Sequence, residues 1–128
     1  MLIKCTYGDL DRVRSGVYQK LWSYTFALAI DGHRTRKFCK VLSSTIGEYE
    51  EELVKLGAKY GEPGPNKSFK ISQDKLGDYL VAKGALDAVE CEVVLVPLPY
   101  STWSQVPMSA FDQDALEKFV EATPEIAP

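Results

Sequence analysis

The chain has 128 residues, 45% of them hydrophobic and 26% charged, and a formal net charge of −3. That length fits one domain able to bury its own core, and the composition is that of a globular protein rather than a disordered or fibrous one. Three dispersed cysteines with no CxxC pair, beside a single histidine, argue against a disulfide framework and a zinc site.

Leu2 to Thr6 is short and mostly apolar, as in an edge strand, and Tyr7-Gly8-Asp9 breaks it. Asp9 is suited to N-cap a first helix over about Leu10 to Trp22, with Leu10, Val13, Val17 and Leu21 on one face. Ser23-Tyr24-Thr25 forms a turn, with Thr25 able to cap the helix that follows.

That second helix carries the strongest pattern in the chain. Leu28, Thr35, Leu42, Tyr49 and Leu56 recur every seven residues, with Cys39, Ile46, Leu53 and Tyr60 four residues after all but the first. Steps of four and three keep these side chains on one helical face, so a single long helix is predicted from about Leu28 to Tyr60. Such a helix is stabilised mostly by packing, either within the chain or against another copy. Gly32, Gly47 and Gly57 lie inside it, each either a place of close approach or a kink. Gly61 suits a left-handed C-cap, and Pro63 prevents continuation.

Glu62 to Ser68 reads as a surface loop, and Phe69 to Ile71 as extended or as a staple for a third helix beginning after Ser72. Leu76, Tyr79, Leu80 and Leu86 give that helix an apolar side, and Gly84 marks its fraying end. Glu90 to Leu98 is the clearest strand, with Pro97 and Pro99 placing its end at an edge. Tyr100 to Pro107 is a loop. A final helix begins near Ser109 or Asp112, where Ser109 and Asp112 have capping-box spacing, and buries Leu116, Phe119 and Val120. Residues 1–122 form one domain in this reading, and 123–128 a flexible tail.

Charge is unevenly distributed: residues 1–40 carry +5 and residues 41–128 carry −8. Either the surface is polarised for docking, or folding interleaves the two parts. No apolar run approaches the roughly 18 to 20 residues of a membrane span. The N-terminus turns polar within a few residues, unlike a signal peptide, so the chain is expected to stay where it is made.

Candidate chemistry is sparse. His33, Arg34, Arg36, Lys37 and Lys40 form the one dense basic patch, an anion-binding candidate whose members helical geometry spreads around the circumference. Glu48, Glu50, Glu51 and Glu52 lack the histidine that a carboxylate metal site pairs with, and Glu51 and Glu52 are spaced to meet Lys55. GEPGPNK lacks the P-loop spacing. Tyr100, Trp103 and Met108 are large residues in a proline-flanked loop, either partner-binding anchors or a lid tucked under the final helix. No catalytic, cofactor-binding or metal-binding residues emerge, and no cofactor is expected.

The order of segments resembles a known family. HRTRKFCKVL (33–42), EEELVKLGAKYGEP (50–63), ECEVVLVPLP (90–99) and DALEKFVE (114–121) are similar to a family of small uncharacterised proteins encoded by tailed bacteriophages and prophages. The likeness is densest between His33 and Pro63, and residues 100–110 have no counterpart in the pattern. It implies a phage-encoded protein of the host cytoplasm or the virion, and supplies no catalytic residues.

The expected fold is α+β: an antiparallel helical hairpin with one long helix, two further helices, and a small sheet pairing the N-terminal strand with 90–98. The expected function is non-enzymatic, a small virion or assembly component that binds other phage proteins and can self-associate. The alternatives are a regulator or inhibitor docking on a host or phage protein, with its acidic part imitating nucleic acid, and a nucleic-acid-binding accessory protein.

Overall fold

The computed structural model describes residues 1–65 and 68–121; the expected tail at 123–128 lies outside these. β1 (Leu2–Thr6) alternates as a half-buried strand should, with Ile3 and Cys5 inward and Leu2 and Lys4 outward. It pairs antiparallel with β4 (Glu90–Val94), from Leu2 opposite Val94 to Thr6 opposite Glu90. The ladder stops short of the expected Leu98. The Leu95 N–H still bonds the Met1 carbonyl, and further on Leu98, between Pro97 and Pro99, makes an isolated parallel bridge with Val120.

Thr6, not Asp9, is the N-cap of α1 (Tyr7–Arg14). Its hydroxyl accepts from the Asp9 N–H at 3.2 Å while Asp9 accepts from the Thr6 N–H at 2.9 Å, a reciprocal capping box one turn earlier than expected. The expected first helix is two: α1 ends at Ser15 and α2 (Val17–Ser23) restarts after Gly16. Ser15 turns its hydroxyl onto the Asp11 carbonyl at 2.7 Å, and glycine is the weakest helix former after proline, so the break falls where local preference is lowest. The apolar face survives it, since Leu10, Val13, Val17 and Leu21 are all buried.

α3 (Ala29–Tyr60) is the predicted long helix, antiparallel to the α1–α2 pair. It begins later than expected: Leu28 is the N-cap, makes no side-chain cap bond and is 62% exposed, so neither it nor Thr25 serves as proposed. Thr35, Phe38, Cys39, Leu42, Ile46 and Tyr49 are buried beneath α1, α2 and β4, so this part of the stripe is filled from within the chain. Gly57 is a site of close approach: a Cβ there would lie 2.3 Å from the Phe69 ring. Gly61 is extended rather than left-handed, and a Cβ on it would lie 2.8 Å from the Lys70 carbonyl. Those contacts come from a minimal antiparallel ladder of β2 (Glu62–Pro63), where a loop was expected, and β3 (Phe69–Lys70), within the stretch read as extended or as a staple.

α4 (Gln73–Asp87) follows Ser72 and runs through Gly84 rather than fraying there. It buries no residue fully. Tyr79, Ala82 and Leu86 are half-buried, while Leu76, Leu80 and Val81 face out. α5 (Tyr100–Trp103) gives the expected loop one short turn of helix. α6 (Ala110–Leu116) starts at the expected capping box, with Ser109 and Asp112 exchanging two 3.1 Å bonds. Past α6, Phe119 is fully buried and the Glu121 N–H bonds the Leu98 carbonyl at 3.0 Å, joining the last described residues to the chain beyond β4. The architecture is α+β, with one continuous hydrophobic cluster shared by the sheet, α1, α2, α3 and the segment from Leu95 to Phe119. Among the described residues no helix is long and apolar enough to cross a membrane.

Folding removes part of the charge asymmetry. Arg12 pairs with Asp114 and Lys20 with Asp112, cations of the basic part with anions of the acidic part, while Lys118 with Asp9 and Lys83 with Asp11 join the two parts in the opposite sense. The cations at the start of α3 stay outside that exchange.

Candidate functional site

Ile30, His33, Arg34, Lys37 and Val41 follow steps of three and four and therefore share one side of α3. Opposite them runs the chain beyond β4. Val94, the last residue of β4, and Val96 are 71% and 81% exposed, and Pro97 and Pro99 follow along the same wall. Between these walls lies a groove of about 610 Å³, with Met1 and Glu121 also in its lining. Its surface is mostly apolar, and the charges on its helical rim are cationic.

Arg34, Arg36, Lys37 and Lys40, the four Lys and Arg residues of the expected basic patch, do not line a single groove. Arg34 and Lys37 line the groove, whereas Arg36 lies two residues round the helix and lines a second depression beside Leu28 and Gly32. Lys40 is exposed and lines neither. None of the four has an ion pair among the described residues. A continuous track for a phosphate backbone needs cations on one side, and α3 presents only Arg34 and Lys37, with His33, along this groove.

Asp31 fixes the α3 wall in place. It is buried, accepting from the Thr102 hydroxyl at 2.7 Å and from the Gln105 amide at 3.0 Å. Those bonds, Gln105 first and then Thr102, hold its carboxyl below the usual carboxylate range. One acidic residue thus ties the first turn of α3 to α5 and to Gln105, two residues beyond it. Its sequence signal was weak: an acid in a first helical turn is ordinary, and the 71 residues to Thr102 conceal the pairing.

Tyr100, Trp103 and Met108 are brought together, with the bulk of Trp103 turned into the core. Trp103 is 9% exposed, donates its indole N–H to the Glu121 carbonyl at 3.0 Å, and meets Tyr100 edge-to-face at 5.1 Å. Tyr100 and Met108 are half-buried against the same cluster. A shallow hollow of about 340 Å³ lies over them, smaller and more polar than the groove. Trp103 therefore ties α5 to Glu121, one of the residues lining the groove.

The glutamate cluster is surface dressing where it is paired at all: Glu52 meets Lys55 at 3.0 Å, one of the two pairings expected. Among the described residues no group of three or more His, Cys, Asp or Glu side chains is arranged to hold a metal ion. No protein-family model, curated protein or solved structure matches this chain.

Proposed function

We propose that this is a non-enzymatic docking protein, a small virion or assembly component of a tailed phage that binds other phage proteins. The observation that carries the reading is the groove between α3 and residues 94–99. Exposed apolar side chains gathered in a concave surface are the usual mark of an interaction site, and removing them from water favours binding by about 25 cal/mol per Å². Arg34 and Lys37 on its rim, without an ion pair among the described residues, favour a partner segment that alternates apolar side chains with carboxylates. The phage assignment rests on the resemblance of segments 33–42, 50–63, 90–99 and 114–121.

Capture from a lysate of phage-infected cells tests it, using the wild-type chain beside Val96→Asp, Lys37→Glu and Leu80→Lys. The expected result is capture of a virion protein, lost in the first two variants and kept in the third. Equal capture by all four chains would remove the groove from the reading. Capture of one host protein from infected and uninfected lysates alike would replace the assembly role with a regulatory one. Light scattering on a size-exclusion column comes before either, and a stable oligomer disrupted by Val96→Asp would make a second copy the occupant.

A further inference from the structure

From the sequence the three cysteines are separate thiols, yet the fold brings two of them together. Cys5 stands opposite Cys91 in the β1–β4 ladder, and their sulfurs are 3.4 Å apart. The Leu95 N–H bonds the Met1 carbonyl at 2.9 Å, which sets the phase of the ladder. Two-residue steps from that pair reach Val93 with Ile3 and then Cys91 with Cys5, so the cysteines occupy a hydrogen-bonded position, where Cα atoms lie about 5.5 Å apart. Disulfides join Cα atoms about 4.4 to 6.8 Å apart, so this spacing admits a bond once the side chains rotate and the two Cβ atoms draw slightly closer.

The pair is also reachable. Cys5 is buried, but Cys91 is half-buried, and both line an open depression of about 700 Å³. Lys4 and Lys118 border it together with Glu90 and Glu92. Cys39 is fully buried on α3 and lies outside that depression, which makes it an internal control.

We propose that Cys5 and Cys91 are a redox-active dithiol, closed to an intrachain disulfide by small disulfide oxidants such as glutathione disulfide. Cys91, the more open of the two, gives its proton to solvent, and its sulfur attacks one sulfur of glutathione disulfide. That S–S bond breaks, and one glutathione leaves as a thiolate and takes up a proton. Cys5 then loses its proton and attacks the Cys91 sulfur of the mixed disulfide, expelling the second glutathione. Two protein thiols are oxidised and one glutathione disulfide is reduced to two thiols, so the exchange balances without another reactant. The product staples the first strand to β4 across most of the chain, the arrangement in which a cross-link restricts the unfolded state most.

The test uses the full chain in glutathione buffers of graded oxidation, quenched with acid, unfolded and alkylated, then mapped by peptide mass. The expected product has lost two hydrogens, carries one alkyl group on Cys39, and yields a peptide pair joined through Cys5 and Cys91. Its midpoint of thermal unfolding rises by about 10 °C and returns on reduction with dithiothreitol. Cys5→Ser is expected to stop at a glutathione adduct on Cys91, and Cys91→Ser to form no cross-link. Three alkylated cysteines in the wild-type chain after full oxidation would overturn the proposal, as would a linked peptide containing Cys39. Both readings come from the wild-type chain and stand even if a serine variant fails to fold.

Discussion

α3 and α4 both have an apolar side at helical spacing, and the fold treats them oppositely. On α3, Phe38, Cys39, Leu42, Ile46 and Tyr49 are almost wholly inaccessible, because α1, α2, α4 and β4 all pack on this helix. On α4, Leu80 is 55% and Val81 75% exposed, because α4 rests on α1 and α3 along one side and nothing described covers the other. Periodicity shows that a helix has an apolar side; how much chain is available to cover it depends on where the helix sits.

The contrast is sharpest at Leu42. Leu42→Asp places a carboxylate in a fully buried site with no partner, and is expected to cost more than about 4 kcal/mol and abolish folding. Circular dichroism and urea unfolding read this directly. A soluble variant with an unchanged midpoint would mean that the α3 stripe is not the core.

A smaller effect is expected where the two helices meet. The Tyr49 hydroxyl, projecting from the buried side of α3, donates to Asp87 at 2.6 Å, and Lys83 reaches the same carboxylate at 2.9 Å. Burial and the Asp87 contact raise the Tyr49 pKa well above the usual tyrosine range, so the phenol stays protonated as a donor. Tyr49→Phe removes that bond and is expected to lower stability by about 1 to 2 kcal/mol in urea unfolding. No loss would show that packing alone holds α4 to α3.

Asp112 supplies a pH signature on the covered side of the molecule. It is buried, and its hydrogen bond from Lys20, followed by the bonds at Ser109, holds its carboxyl below the ordinary value. A carboxylate with a depressed folded-state pKa contributes stability that is present above about pH 4, the unfolded value, and is lost as pH falls through the folded value. Asp112→Asn is therefore expected to cost about 1 kcal/mol at neutral pH and to flatten the acid side of the stability profile. Thermal unfolding between pH 2 and 7 checks this, and parallel profiles for both chains would assign the acid sensitivity elsewhere.

The least effect is expected on the open side of α4. Leu80→Lys keeps a good helix former and removes little buried surface, so its unfolding free energy in urea should change by no more than about 0.5 kcal/mol. A larger loss would show that α4 is covered in solution, by another copy if the loss depends on protein concentration.

Much of the fold was legible in the residues. The spacing of Thr35, Cys39, Leu42, Ile46 and Tyr49 gave the buried side of α3, and Ser109 with Asp112 gave the start of α6. Both are local signals, read within a few turns of one element. The break at Gly16 and the extended conformation of Gly61 were less legible. The first follows from the Ser15 back-bond, and the second from the nearby Lys70 carbonyl. Of the candidate site, Arg34 and Lys37 were named as half of an anion patch, but the apolar wall facing them comes from residues sixty positions away.

The sequence by itself determined where the longer helices and the two strands of the main sheet lie, which sides of them are apolar, and that the chain has an α+β build, because those properties depend on neighbours within about a turn. Only the tertiary structure decided that Val94 and Val96 stay exposed beside α3, that Trp103 turns inward, that Asp31 meets Thr102, and that Cys5 faces Cys91. Each of these depends on the register and crossing of elements far apart in the chain. Composition and periodicity do not encode that register, which packing fixes when the elements close on one another.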